Sequence, residues 1–293
     1  MTDTATTPAT SRLDLDAYLG RLGVSASEGP GAGLLRRLQR AHLLAIPFEN
    51  GESLLSGGTT APSLALPALT AKLLRSRRGG YCYEHNLLFA AALRALGFQV
   101  TMLAARVLLG ARPGDVRPRT HMCLRVRVPG EEQSYLADTG FGTPEAPLTA
   151  LSLTEGEWTQ EGDRTLRLVR THTAEHPLPE WELHSQGAHG WERLYGFTEE
   201  PFAAPDFDVF NWHIATNPRS PFARTARFVR ILPDGGHRTL LGRTELTLVE
   251  RESTGATRTL PVSDGPAALR VLADRFDIVL PEGSRLLAPG CGA

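Results

Sequence analysis

Cys82 is the side chain in this sequence best placed for nucleophilic chemistry. It follows the pair Gly79-Gly80 and precedes a run of helical pattern that ends at Gly97, so it falls at or near a helix start. A thiolate in such a position is stabilised by exposed N–H groups and the partial positive charge of the helix N-terminus. Two glycines before it permit a tight turn and the close approach of a substrate. The same position also suits a small packing residue buried under a turn, so the thiol needs partners before it counts as reactive.

A cysteine nucleophile needs a base and a group that orients the base, and both can lie far away in sequence. In the stretch THMCLRVRVPGEEQSYLADTG two strand-like runs flank a turn signal at Pro129-Gly130. A two-residue loop there puts His121 directly opposite Asp138, and a four-residue loop through Glu132 makes them diagonal neighbours. Either even loop leaves both side chains on one face, whereas a loop of three or five residues separates them. Taken alone, His121 also fits a hydrogen-bonded strand histidine, and Asp138 a turn former before Gly140. A competing arrangement uses Cys82-x-x-His85 with His121-x-Cys123 as two sulfur and two imidazole ligands for zinc. The pairs do not form two knuckles of a known spacing, and a chain this long needs no metal staple, so no metal is assigned.

The remaining histidines invite structural roles. His42 lies on an apolar helix stripe and reads as a hydrogen-bonded core residue, whereas His172, His176, His184, His189 and His237 read as exposed. Trp181 and Trp191 read as packing residues.

The elements that must hold these groups change character along the chain. Asp14 or Asp16 can cap a first helix before Tyr18, Leu19 and Leu22, and Leu34, Leu35, Leu38, Ala41, His42 and Ala45 follow the spacing of one helix face. Leu66 to Leu74 continues the helical texture. From Phe98 onward the pattern becomes β-rich, with runs at 99–109, 121–128, 134–139, 166–171, 181–183, 193–195, 227–232 and 243–249 separated by Gly and Pro. Pro266 to Phe276 reads as a final helix and Ile278 to Pro281 as a short strand.

The chain has 293 residues with 31 Lys and Arg against 32 Asp and Glu, a net charge of −1 that offers no field for nucleic acid or an anionic membrane. All but one of the basic residues are arginine, Lys72 being the exception, and no mechanism is taken from that bias. No apolar run approaches the ~18 residues of a membrane span, and the polar start MTDTATTPATSR lacks the pattern of a secretory signal and reads as a frayed tail. Three cysteines, Cys82, Cys123 and Cys291, argue against a disulfide framework and for a reducing compartment, here the cytoplasm.

The residues Arg78-Gly79-Gly80-Tyr81-Cys82-Tyr83-Glu84-His85-Asn86 resemble the R-G-G-x-C-x-E-x-N signature of the arylamine N-acetyltransferase family. Ile46 to Asn50 matches its I-P-F-E-N segment, Thr120 to Met122 its T-H-M strand start, and Asp138 to Gly142 its D-x-G-F-G run. Asn211-Trp212 and Thr216 to Phe222 look like its third-domain segment, so the resemblance covers about residues 12 to 280. Asn217 departs from the histidine of many relatives.

The resemblance implies an α+β protein: an N-terminal helical bundle (residues 1–97) with the catalytic cysteine, a central β-barrel (98–205) with the histidine and aspartate, and a C-terminal α/β lid (206–293). Cys82, His121 and Asp138 match the family's catalytic triad. The implied reaction moves an acetyl group from acetyl-CoA through a cysteine thioester to arylamines, hydrazines or arylhydroxylamines. It also implies Thr120 and Gly142 near CoA, and Phe48, Phe141 and Phe222 as walls for an aromatic acceptor. The expected partners are a small aromatic amine or hydrazine and no nucleic acid or membrane, with a homo-oligomer left open. An amide synthase of the same family, closing a macrolactam, and a cysteine hydrolase are the alternatives.

Overall fold

The computed structural model describes residues 13–287 apart from 113, 157, 162–163, 174–175 and 188–189. The N-terminal tail, His189 and Cys291 lie outside the described residues.

The first region is helical: α1 (Leu15–Leu22), α2 (Ala32–Ala45), α3 (Gly51–Leu55), α4 (Leu66–Leu69) and α5 (Cys82–Ala95). Asp14 caps α1 by accepting from Ala17 N–H at 3.0 Å. α5 ends as its sequence predicts: Gly97 takes φ +91° and Phe98 N–H returns to Leu93 C=O at 3.0 Å, satisfying carbonyls the helix leaves open. The stripe expected over Leu66 to Leu74 is split, since after α4 the chain widens into π turns at Thr70–Arg75. Leu35, Leu38, Leu88, Phe89 and Leu93 share one core.

Two antiparallel sheets follow. β2 (Gln99–Val107), β3 (Arg119–Arg127), β4 (Ser134–Ala137), β5 (Leu151–Ser152), β6 (Trp158–Glu161), β7 (Arg164–Thr173), β8 (His176–Gly187) and β9 (Gly190–Phe197) make an eight-stranded sheet of order β5-β4-β3-β2-β9-β8-β7-β6. Its edges nearly meet: Glu161 at the end of β6 accepts Leu148 N–H at 2.6 Å and Thr149 N–H at 2.7 Å, just before β5. The result is a near-closed barrel. β3 forms the wall between two cores, because alternate side chains face opposite ways. Met122, Leu124 and Val126 pack toward the helices, and Cys123 packs into the barrel interior with Leu103, Ala105 and Tyr195.

The second sheet has order β1-β10-β11-β12-β13, from β10 (Ala226–Ile231), β11 (His237–Gly242), β12 (Leu246–Arg251) and β13 (Thr257–Val262). Its fifth strand, β1 (Phe48–Glu49), comes from the helical region and pairs Phe48 with Val229. α6 (Ala204–Thr216) links the two sheets, and α7 (Pro266–Val271) runs on into π turns at Leu272–Phe276. Ile278 to Pro281 is not a strand. Its Val279 N–H goes instead to Arg77 C=O at 2.8 Å, so the segment is tied to the loop before Gly79 and not to a sheet edge. His184 is also not an exposed residue, being half-buried and bonded to Glu182 at 2.9 Å.

Candidate active site

The turn into α5 can be made only with its two glycines. A Cβ on Gly79 would lie 1.8 Å from the Pro47 carbonyl oxygen, and one on Gly80 would lie 2.7 Å from the Glu84 carboxylate. Gly79 N–H donates to Glu49 at 2.9 Å, and Arg78 grips the same carboxylate at 2.6 and 3.1 Å. Glu84, one turn into the helix, accepts Tyr81 N–H at 3.1 Å and pairs with Lys72 at 2.6 Å. The only lysine of the chain is therefore spent on a buried carboxylate. Cys82 follows as the first residue of α5, where its own N–H has no acceptor within the helix. Its side chain is buried, with the sulfur 3.9 Å from Thr120 C=O.

β3 and β4 bring the other two groups to the thiol. Val126 pairs with Tyr135 and Leu124 with Ala137, the register of the four-residue loop, so Cys123 faces position 138 and His121 is its diagonal neighbour. His121 Nε2 and Asp138 Oδ2 are 2.7 Å apart, both side chains buried. The strand expected through Thr139 stops at Ala137, because Asp138 leaves the ladder. Its N–H donates to Gln39 Oε1 at 3.1 Å, and its Oδ1 accepts Gly140 N–H at 2.8 Å and Asn86 Nδ2 at 3.0 Å. Gly140 then passes directly over the nucleophile: a Cβ there would be 2.6 Å from Cys82 Cα.

Charge follows from these contacts. Burial pushes the His121 imidazolium toward neutrality, but the charge and hydrogen bond of Asp138, with Cys82 beside it, hold its pKa up at about 10. Burial likewise works against the Asp138 anion, and His121, Asn86 and Gly140 N–H offset it, so its pKa is lowered. Cys123 is pushed the other way, up, by burial and by the Asp138 and Cys82 charges, and stays a thiol. Asp138 bonds Nε2, which leaves Nδ1 of His121 free to exchange a proton with the sulfur. A thiol, an imidazole and a buried carboxylate in this order can form a thiolate and an imidazolium.

Cys82 and His121 open onto a cavity of about 230 Å³ lined also by Phe48, Asn50, Thr120, Phe141, Thr143, Phe222 and Arg227. Three of these are the expected aromatic walls. Phe48 and Phe222 meet edge to face at 6.3 Å, and Phe141 packs on the His121 ring at 5.2 Å. Gly142 does not line the cavity. At φ +70° it lies under Phe48, whose ring a Cβ would strike at 2.4 Å, so it sets the position of that wall. Asn217 is also outside the cavity, bonding Arg219 N–H at 2.9 Å at the end of α6. His85 turns away from Cys82: its Nδ1 meets His42 at 2.9 Å and its Nε2 meets Pro47 C=O at 3.2 Å. Among the described residues no three His, Cys, Asp or Glu side chains are grouped to hold a metal ion.

Four residues with structural duties in this site were not singled out from sequence. Asn86 and Asn50 stood inside motifs that could have flagged them. Gln39 and Arg227 reach the site from distant segments that carry no motif.

Comparison with known proteins finds similarity over most of the chain. A family model described as N-acetyltransferase matches residues 33–285. The chain is 36% identical over 269 residues to an arylamine N-acetyltransferase of Mycolicibacterium smegmatis, covering 92% of this chain and 93% of that protein. It is 35% identical to an arylamine N-acetyltransferase / N-hydroxyarylamine O-acetyltransferase of Salmonella typhimurium, covering 90% and 88%. Among solved structures, that of the Nocardia farcinica arylamine N-acetyltransferase superposes with a TM-score of 0.82 at 39% identity, covering 96% of this chain and 95% of that one. The Mycobacterium marinum enzyme in complex with CoA gives 0.80 at 34%, covering 90% and 93%.

Proposed function

The chain belongs to the arylamine N-acetyltransferase family, and from that premise we propose that Cys82, His121 and Asp138 carry acetyl transfer from acetyl-CoA to an aromatic amine or hydrazine. The observation that carries the assignment is the 2.7 Å bond from His121 Nε2 to Asp138 beside a thiol at a helix start. His121 Nδ1 takes the Cys82 proton, and Asp138 holds the ring and stabilises its charge. The thiolate attacks the thioester carbonyl, with Cys82 N–H as one donor to the oxyanion. The C–S bond to CoA breaks, the CoA sulfur takes the proton from His121, and acetyl-Cys82 remains. The amine nitrogen then attacks that carbonyl and gives its proton to His121. The Cys82 sulfur leaves and is reprotonated, and the amide is released.

Phe48, Phe141 and Phe222 hold the aryl ring by apolar burial and ring contacts. Thr120, whose carbonyl lies beside the sulfur, meets the donor, and Gly142 acts through Phe48. Residues 1–97 supply the nucleophile, 98–205 the base and its carboxylate, and 206–293 cover the acceptor. The reaction needs no metal, and a cytoplasmic setting fits the sparse cysteines. An aromatic amine is largely neutral at pH 7, unlike an alkylamine of pKa about 10, which favours it as acceptor.

Incubation with acetyl-CoA alone should leave an acetyl group on Cys82 that blocks alkylation, and steady-state rates with an aryl hydrazide should give parallel lines. Acetylation elsewhere, or hydrolysis as fast as transfer, would overturn the reading.

A further inference from the structure

Among the described residues, the acceptor cavity is lined by a cation that no carboxylate meets. Arg227, on β10, lines it and is half-buried, yet its side chain makes one long hydrogen bond of 3.5 Å from Nη1 to Gly142 C=O among the described residues. Arg78 and Arg125, also part-buried, are matched by Glu49 at 2.6 Å and Glu199 at 2.8 Å, and Arg230, away from this cavity, at least meets Ala45 C=O at 3.1 Å. Burial lowers the pKa of Arg227, with Glu145 pulling weakly the other way from beyond ion-pair distance. A desolvated guanidinium without a counter-charge is unfavourable until something anionic joins it.

A second observation comes from the same wall. Thr143 is 8% exposed, lines the cavity, and its hydroxyl has no hydrogen-bond partner. A hydroxyl can donate, and the guanidinium can only donate. A ligand group that reached both would meet only donors from the guanidinium and a free donor from the hydroxyl, so that group must accept. The backbone of this wall is fixed as well. Asn50 donates to Phe222 C=O at 2.9 Å and Thr225 C=O at 2.8 Å, and accepts Arg227 N–H at 2.9 Å, so Arg227 and the Phe222 wall are held by one buried amide. No carboxylate lines the cavity among the described residues. The other titratable liners are Cys82 and His121, which in the acetylated enzyme leave Arg227 as the uncompensated charge.

We propose that Arg227 and Thr143 form an anion subsite in the acceptor cavity, and that the preferred acceptors are aromatic amines or hydrazines with a carboxylate on the ring. The proposal rests on the acetyl-transfer reading above. Arg227 supplies charge-assisted hydrogen bonds to the carboxylate, Thr143 adds one more, and the phenylalanines hold the ring while its amine faces acetyl-Cys82. A phosphate of CoA is the other source of the same chemistry.

The test compares 4-aminobenzoate with its methyl ester as acceptors. In a ping-pong reaction kcat/KM for the acceptor reports only the second half-reaction, and kcat/KM for acetyl-CoA only the first. The wild-type protein should prefer the acid, and Arg227→Met should lower the acid-to-ester ratio of kcat/KM by roughly thirtyfold, with Thr143→Val lowering it by roughly threefold. An unchanged ratio overturns the proposal, and a fall in kcat/KM for acetyl-CoA with the ratio unchanged moves the subsite to the donor. Equilibrium titration of 4-aminobenzoate into Cys82→Ala, with and without Arg227→Met, reads the subsite independently of turnover. Weaker binding on loss of Arg227 supports it and equal binding overturns it. Failure of acetyl-CoA to acetylate Cys82 would instead count against the triad reading. Should Arg227→Met fail to fold, Arg227→Gln carries the same comparison.

Discussion

Helix α5 carries Cys82 between two buried histidine sites that differ in charge. On one side His121 meets Asp138 and keeps its proton, its pKa held at about 10. On the other, His85 and His42 form a chain with Tyr18 and Pro47, and burial drives both below the ordinary imidazole value, His85 to about 4. All three rings are buried to a similar degree. The difference is the partner. A carboxylate stabilises imidazolium, whereas a carbonyl and a second imidazole leave burial to decide for the neutral ring. One site holds the charge that the proposed chemistry uses, and the other ties α5 to α2 through His85 and His42.

Removing the carboxylate should have the largest effect. In Asp138→Asn the Oδ1 contacts to Asn86 and Gly140 can survive, but an amide N–H in place of Oδ2 cannot accept from His121 Nε2. The ring turns to the other tautomer, with the proton on Nδ1, and can no longer take one from Cys82. Turnover should fall roughly 10⁴-fold with the circular dichroism unchanged. A loss under tenfold would mean that something else orients the ring, and the contrast between the two sites would fail.

The neutral pair should appear in the pH dependence of stability. An unfolded histidine titrates near 6.5, so with a folded value of about 4 the contribution of His85 is complete above pH 6.5 and is lost as pH falls toward 4, on the order of 3 kcal/mol. His121 has the opposite sign. Its contribution is present below pH 6.5 and is lost as pH rises toward 10. Glu84, raised to about 7 by burial despite Lys72, also favours the acid side, so raw curves mix the effects. Urea midpoints of the wild-type protein and His85→Gln, compared from pH 6.5 to 4, isolate the histidine. The slope should shrink in the variant, and an equal slope would show that His85 is not the group that titrates.

The pairing of His121 with Asp138 is legible in the sequence and the neutral chain is not, for a physical reason. His121 and Asp138 lie 17 residues apart on a hairpin whose period-two geometry confines them to one face once the loop is even. Cys82 was marked by glycines that the Pro47 contact makes obligatory. The pairing of His42 with His85 spans 43 residues and depends on how α2 packs on α5, which periodicity does not specify beyond the buried face. The same holds for β1 joining the C-terminal sheet, a two-residue strand too short to show a pattern. Ile278 to Pro281 reads as a strand because its apolar residues face the core, as Ile278 and Leu280 do, yet its Val279 N–H bonds the Arg77 carbonyl of a loop. The barrel and lid were read through family resemblance, since short strands alone do not reveal closure by Glu161.

The smallest expected effect tests the proton order of the neutral chain. Pro47 C=O can only accept, so His85 Nε2 carries a proton and its Nδ1 accepts from His42 Nε2–H. His42 Nδ1 is then left as an acceptor, and the Tyr18 O–H at 2.9 Å is its donor. Tyr18→Phe keeps the ring, removes that donor and leaves a buried nitrogen lone pair unmatched, which should destabilise the fold by about 1–3 kcal/mol. The acid side of the stability curve should also fall sooner, because the unpaired nitrogen becomes a site for a proton. Cys82, His121 and Asp138 make no contact with Tyr18, so acetylation of Cys82 should proceed within about twofold of the wild-type rate. Stability measured by urea unfolding should therefore drop while the rate of acetyl-Cys82 formation holds. A large loss of acetylation in a folded Tyr18→Phe protein would join the two histidine sites into one functional unit and remove the distinction between them.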